Sequence, residues 1–224
     1  MTEYKTIIFD LDGTLIHSAP DIHAAINLAL VASDRAPLDL PTVITFIGNG
    51  AEKLVERSLI KTGGISPDLQ AKTLARFLDY YEQNMTTLTR LFPGVVPLLK
   101  DLQATGIRLG VCTNKPTQPA RDICDQLGLS GYFDVISGAA PELPKKPDPQ
   151  PLLRCLADLG GSIDDALYVG DSVVDYETAR NANVKFRLFS GGYLNSALPD
   201  LLPEDRFDDW AASGIGGQAK GLGA

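Results

Sequence analysis

Thr6-Ile7-Ile8-Phe9-Asp10-Leu11-Asp12-Gly13-Thr14 joins a short apolar run to a turn that carries two carboxylates. A run of that length, ended abruptly by polar residues and a glycine, reads as a buried strand delivering side chains to its carboxyl end. Four more runs repeat the form, at 107–112, 135–137, 166–169 and 186–189. Helical spacing separates most of them. Val95, Leu98, Leu99 and Leu102 share a face before Gly106, Ile123 and Leu127 before Gly128, and Leu152, Leu153 and Leu156 before Gly160. The alternation implies an α/β fold, a parallel sheet covered on both faces with ligands bound beyond the carboxyl ends of its strands.

One interval departs from the pattern. Between Leu15 and about Leu91 no strand is expected, and the apolar spacing is helical, predicting helices at 20–32, 42–47, 51–61 and 67–85. Leu74, Phe77, Leu78, Tyr81 and Met85 share one face of the last. Pro20, Pro41 and Pro67 sit near helix starts, where proline costs little. Two short crossings favour an inserted helical domain, a hinged cap; a helical bundle fixed on the sheet is the alternative. The division is a core of residues 1–16 and 92–224 and a cap of 17–91.

Composition excludes other classes. Of 224 residues 44% are hydrophobic, enough for a sizeable core. A formal net charge of -8 counts against nucleic acid or an anionic membrane as the main partner, since both require clustered Lys and Arg. Cys112, Cys124 and Cys155 show no metal-ligand spacing and read as reduced, buried thiols. No signal-peptide core follows Met1 and no apolar stretch reaches membrane-spanning length, so a soluble, cytoplasmic protein is expected. Residues 214–224 read as a mobile Gly-rich tail.

Polar clusters follow four of the strands. Asp10 and Asp12 offer oxygens that can converge on one ion, and magnesium takes such hard ligands; an Asx-turn closed by Gly13 is the plain alternative. An EF-hand loop is rejected because its sixth position, a glycine, is Leu15 here. Thr113, Asn114 and Lys115 supply hydroxyl, amide and amine donors suited to a phosphoryl oxygen, although Thr113 alone is a turn or cap residue. Lys145-Lys146 alone would be a solvated pair, and Asp171, four residues before Asp175, an N-cap. In a parallel sheet all four clusters share one edge.

The set Asp10-x-Asp12-Gly13-Thr14, Thr113, Lys146 and Gly170-Asp171-x-x-x-Asp175 resembles the four motifs of the haloacid dehalogenase-like hydrolases. That resemblance implies a Rossmann-like core with a helical cap inserted after the first motif. It implies that Asp10 attacks phosphorus to form an aspartyl-phosphate, with Asp12 as the acid and then the base. It also implies Mg2+ held by the Asp10 carboxylate, the Asp12 carbonyl and the Asp171 carboxylate, with Asp175 orienting a metal water or Lys146. Thr113 would hold phosphoryl oxygens and Lys146 would offset the charge on phosphate and nucleophile. An acid at position 12 marks the phosphatase and phosphomutase branches.

Phe9 to Leu15, Ser18-Ala19-Pro20-Asp21, Gly48-Asn49-Gly50, Phe92-Pro93-Gly94-Val95, Thr113-Asn114-Lys115-Pro116, Lys146-Pro147 and Gly170-Asp171-Ser172 further resemble the bacterial phosphoglycolate phosphatases. The partner implied is a small phosphorylated metabolite, 2-phosphoglycolate first; a sugar-phosphate mutase of the β-phosphoglucomutase type is the alternative. Substrate contacts are expected from Thr113, Asn114, Gly48, Asn49 and Lys53, with Lys53, or else Arg57, meeting a substrate carboxylate; an exposed Lys53 is the competing reading. His17 stands where the subfamily usually has an acid, and facing the substrate chamber it would make that side less anionic. Gly191-Gly192-Tyr193 also resembles the family.

Overall fold

The computed structural model describes residues 4–215. Its strands are β1 (Thr6–Phe9), β2 (Ile16–His17), β3 (Arg90–Leu91), β4 (Arg108–Pro116), β5 (Val135–Ala139), β6 (Ala166–Gly170), β7 (Lys185–Phe189) and β8 (Arg206–Phe207). The helices are α1 (Ala19–Val31), α2 (Leu40–Ile44), α3 (Ala51–Lys61), α4 (Pro67–Glu82), α5 (Val95–Ala104), α6 (Thr117–Gln126), α7 (Gln150–Asp158) and α8 (Val173–Ala182). Six strands form one sheet in the order β5-β4-β1-β6-β7-β8, every neighbouring pair parallel.

The alternation of β1 explains its central place. Ile7 and Phe9 join one apolar cluster, with Leu99, Ile123 and Trp210, while Ile8 joins the cluster on the opposite face with Leu152, Leu156 and Ala179. Both faces are therefore covered, as the continuous apolar strands require. The chain leaves β1 for β4 on one side and later returns through β6 on the other, so the order reverses beside β1. At such a reversal the loops separate and open a crevice at the carboxyl ends, and Asp10 stands there.

Three sequence expectations need correction. The second predicted strand, β4, starts one residue later and continues to Pro116, because Thr113, Asn114 and Lys115 stay extended beside β5, with a register shift between Cys112 and Pro116. Two short strands interrupt the helical interval: β2 and β3 pair antiparallel, Ile16 with Leu91 and His17 with Arg90, tying its two crossings together. The expected apolar face of α4 is narrower, with Phe77, Tyr81 and Met85 buried and Leu78 exposed toward a cavity. β8 was not expected at all; two residues are too few for a periodic signal.

All three cysteines are free and buried. No helix among the described residues is long and apolar enough to cross a membrane. Of the expected mobile tail, 216–224 lie outside the described residues, while Ile215 is buried against the larger apolar cluster.

Candidate active site

Four chain segments meet beyond the carboxyl end of β1, and a lysine links three of them. Lys146 Nζ donates to Asp10 Oδ1 at 2.9 Å, Asp175 Oδ1 at 2.7 Å, the Tyr168 hydroxyl at 2.8 Å and the Cys112 carbonyl at 3.0 Å. Its placement is fixed by Asn114, whose Oδ1 accepts from the Lys146 backbone N–H while its Nδ2 donates to the Lys146 carbonyl. The lysine pair thus divides: Lys146 is buried, and exposed Lys145 pairs with Glu52. Asn114 Nδ2 also donates to Gly48 O, so this amide is spent on protein partners.

Asp175 is saturated. Besides Lys146 and Tyr168 on Oδ1, its Oδ2 accepts from Ser172 Oγ and from the backbone N–H groups of Asp171 and Ser172. The N-cap of α8 is Ser172, in a capping box with Asp175, and not Asp171. Asp171 is instead held by Thr14 Oγ1, which donates to its Oδ1 at 2.7 Å, and by the Tyr193 N–H, which donates to Oδ2 at 2.7 Å. The Gly191-Gly192-Tyr193 turn therefore positions Asp171. A Cβ on Gly13, whose φ is +89°, would collide with Asp171 Oδ2, and one on Gly192 with Asp171 Cβ, so both glycines admit the carboxylate.

Burial and crowding set the charges. Burial pushes the Asp10 carboxyl up to about 7, Lys146 pulling it back and Asp175 adding to the rise. Asp171 is driven well above the usual carboxylate range by burial, then by Asp175 and Asp10. Burial would raise Asp175 too, but Lys146 outweighs it, with the hydrogen bonds from Ser172 and Tyr168, and the group is depressed.

Asp10, Asp171 and Asp175 each place an oxygen within 4.8 Å of the others. Three carboxylates against one ammonium fit a hard divalent cation. Asp10 and Asp171 keep acceptor capacity for one, whereas Asp175 serves as the support of Lys146 and Asp171.

Asp12 faces the same space with another cation. Lys115 Nζ, buried, lies 3.0 Å from Asp12 Oδ2 and donates to the Tyr81 hydroxyl of α4 at 2.8 Å. Burial works against the Lys115 charge, yet Asp12 and Tyr81 outweigh it and hold the amine above the ordinary lysine range. Asp12 Oδ1 is buried without a partner among the described residues. Asp10, Asp12, Thr113, Asn114 and Lys115 line the floor of one cavity, and the helices of the 17–91 interval line its walls.

The other expected contacts divide. Gly48 borders the cavity; Asn49 is not among the lining residues. Lys53 does not enter, because its ammonium pairs with Glu56 at 2.6 Å on an exposed helix face. Arg57 donates to the Phe46 carbonyl. His17 packs on Phe92 and Tyr193 in the crossing and does not line the cavity. Lys115, Tyr81 and Tyr193 were absent from the expected site; Lys115 carried a signal as the amine of the donor run and Tyr193 as part of the Gly191-Gly192-Tyr193 turn, while Tyr81 carried none beyond its helix face.

The model of the haloacid dehalogenase-like hydrolases matches residues 7–189. The chain belongs to that family. This hydrolase is 44% identical over 197 residues to a phosphoglycolate phosphatase of Cereibacter sphaeroides, covering 87% of this chain and 89% of the relative. It is 43% identical over 216 residues to one of Rhodospirillum rubrum, covering 94% and 89%. The crystal structure of a predicted phosphoglycolate phosphatase from Haemophilus somnus 129PT superposes with a TM-score of 0.89 at 32% identity, covering 96% and 97%. The hydrolase is a phosphatase, acting on phosphoric monoesters.

Proposed function

We propose that this phosphatase hydrolyses 2-phosphoglycolate to glycolate and phosphate, with Mg2+ as its metal and an aspartyl-phosphate on Asp10 as intermediate. The observation that carries the reading is the opening of Asp10, Asp12 and Thr113 into one cavity that the buried Lys115 also lines, with the Lys146 ammonium bonded to Asp10. The substrate itself is suggested by the relatives at 44% and 43% identity that bear that name.

In this mechanism an Asp10 carboxylate oxygen attacks phosphorus, the bond to the ester oxygen breaks, and Asp12 hands its proton to the departing glycolate oxygen. Water then attacks the phosphorylated Asp10 while Asp12 takes its proton, releasing phosphate and restoring the Asp10 carboxylate and the Asp12 acid. Two steps of lower barrier replace one of high barrier. Lys146 holds Asp10 and offsets its charge, and the Thr113 hydroxyl, which accepts only the Lys115 N–H, keeps its proton for a phosphoryl oxygen. Magnesium, when bound by the Asp10 and Asp171 carboxylates and the Asp12 carbonyl, supplies positive charge that offsets nucleophile and phosphoryl anion.

Residues 17–91 act as a cap, entering and leaving through crossings that β2 and β3 pair side by side. The insert contributes Ile22, Ile47, Leu54, Phe77 and Leu78 to the wall, and Tyr81 is its sole polar side chain there. A hexose would leave several hydroxyls without partners against such a wall, which weighs against the mutase alternative. The expected action is cytoplasmic, on a small phosphorylated metabolite.

Asp10→Asn tests the assignment. Steady phosphate release from phosphoglycolate with magnesium should fall by roughly a thousandfold or more; a variant as fast as the parent removes Asp10 as nucleophile. Steady release by the parent without a bisphosphate activator excludes the mutase.

A further inference from the structure

We infer that Lys115, held from the insert by Tyr81, is the cation that receives the second anion of the substrate and so selects small phosphomonoesters bearing a carboxylate next to the ester carbon. The inference rests on the phosphatase reading above and deepens it. It moves the carboxylate contact from Lys53, which lies on an exposed face bound to Glu56, to a residue that lines the cavity.

Three observations carry it. An ammonium has three N–H donors. Lys146 meets four acceptors at 3.0 Å or less and has none to spare. Lys115 meets two, Asp12 Oδ2 and the Tyr81 hydroxyl, and no third acceptor among the described residues. A donor is therefore free on a buried cation at the cavity floor.

Position agrees with chemistry. In phosphoglycolate one methylene separates the ester oxygen from the carboxylate, so the receiving cation has to stand beside the phosphoryl site and not across the cavity. Lys115 follows Thr113 by two residues and its N–H is bonded to the Thr113 hydroxyl at 3.2 Å. Its ammonium also touches Asp12, the group that faces the leaving oxygen in the proposed mechanism. A substrate held by Thr113 presents its carboxylate within reach of that ammonium.

Energetics points the same way. A buried ion pair is a poor stabilising device, since desolvation offsets much of its attraction. Asp12 and Lys115 nevertheless retain one with a hydrogen-bonding oxygen unpartnered on the acid and a donor unspent on the base. The Lys115 vacancy is met by an acceptor on the ligand, and the Asp12 oxygen reaches the leaving oxygen when it carries the proton it is to transfer.

The test compares phosphoglycolate with ethyl phosphate, an alkyl ester of similar leaving group that lacks the carboxylate. Lys115→Gln should lower the ratio of kcat/KM for the two esters by about tenfold, the strength of one charge-assisted hydrogen bond, with the phosphoglycolate loss carried mainly by KM. Lys115→Arg should recover part of the ratio, and Lys53→Ala should leave it unmoved. Equal losses on both esters, carried by kcat, would mean that Lys115 serves only Asp12 and would overturn the inference, as would a ratio that falls in Lys53→Ala instead. Should Lys115→Gln not fold, Tyr81→Phe removes one hydroxyl and should lower the same ratio a few-fold; an unchanged ratio overturns the inference. A parent that hydrolyses ethyl phosphate but not phosphoglycolate defeats the substrate proposal, and is told apart from these outcomes before any variant is made.

Discussion

Asp175 shows how much one side chain can hold without touching a substrate. It accepts from Lys146, Tyr168, Ser172 and two backbone N–H groups, and is itself fully buried. Asp175→Ala should therefore cost about 3–5 kcal/mol, the scale for stranding one partner of a buried pair, read from denaturant unfolding. His17 gives a smaller, pH-dependent effect. Burial lowers its pKa below 6.5, so above that value native and unfolded chains are both neutral there. As pH falls below 6.5 the unfolded chain takes up a proton that the native ring resists, and stability declines. His17→Gln removes this loss: as pH falls from about 7.5 to about 5.5 its melting temperature should rise relative to the parent's, whatever the raised Asp10 and Asp171 carboxyls add to both proteins. A difference between the two proteins that stays constant across this range would deny His17 the role.

At the scale of elements, the join between insert and sheet depends on Asp21 in the first turn of α1. Its carboxylate accepts from the N–H groups of Leu88 and Thr89 and from the Thr89 hydroxyl, binding the outgoing crossing to the returning one. Asp21→Ala strands the two Thr89 donors in a buried position, and a loss of about 2–3 kcal/mol is expected in urea unfolding. A loss below about 0.5 kcal/mol, the size of an ordinary surface change, would mean that water replaces the clamp. Elements of this kind were legible in proportion to their periodicity. β1 could be read because Thr6 to Phe9 is uniformly apolar and stops at a charge, and α3 because its apolar spacing and bounds agree. β2, β3 and β8 have two residues each and owe their existence to partners distant in sequence. The same limit applies to the lysines. Lys53, Lys115, Lys145 and Lys146 look alike locally, and only the packing of α3, α4 and β4 decides which are buried. The motif aspartates were readable because the spacing after each strand is itself the signal.

For the whole molecule, the carboxylate corner is where function opposes stability. Asp10, Asp171 and Asp175 converge within 4.8 Å with Lys146 as their ammonium partner, and repulsion together with burial raises both Asp10 and Asp171. A magnesium ion on Asp10 and Asp171 would relieve that repulsion in the native state alone, so binding should appear as stability. At a hundred times its Kd the gain is about 2.7 kcal/mol, several degrees in melting temperature for a chain of this size. Asp171→Asn separates charge from contact. The new amide can accept from the Tyr193 N–H and donate to the Thr14 hydroxyl, which rotates to receive it, so both existing hydrogen bonds survive without the charge. In EDTA at about pH 8 this variant should melt at or above the parent. On adding magnesium the parent should overtake it, while the variant neither gains stability nor hydrolyses phosphoglycolate. Asp175→Ala, which removes the acceptor of the Asp171 backbone N–H on the same corner, should fall in both conditions. If Asp171→Asn melts well below the parent without metal, the Asp171 charge is compensated inside the protein, and crowding of carboxylates is not what prepares the corner for a cation.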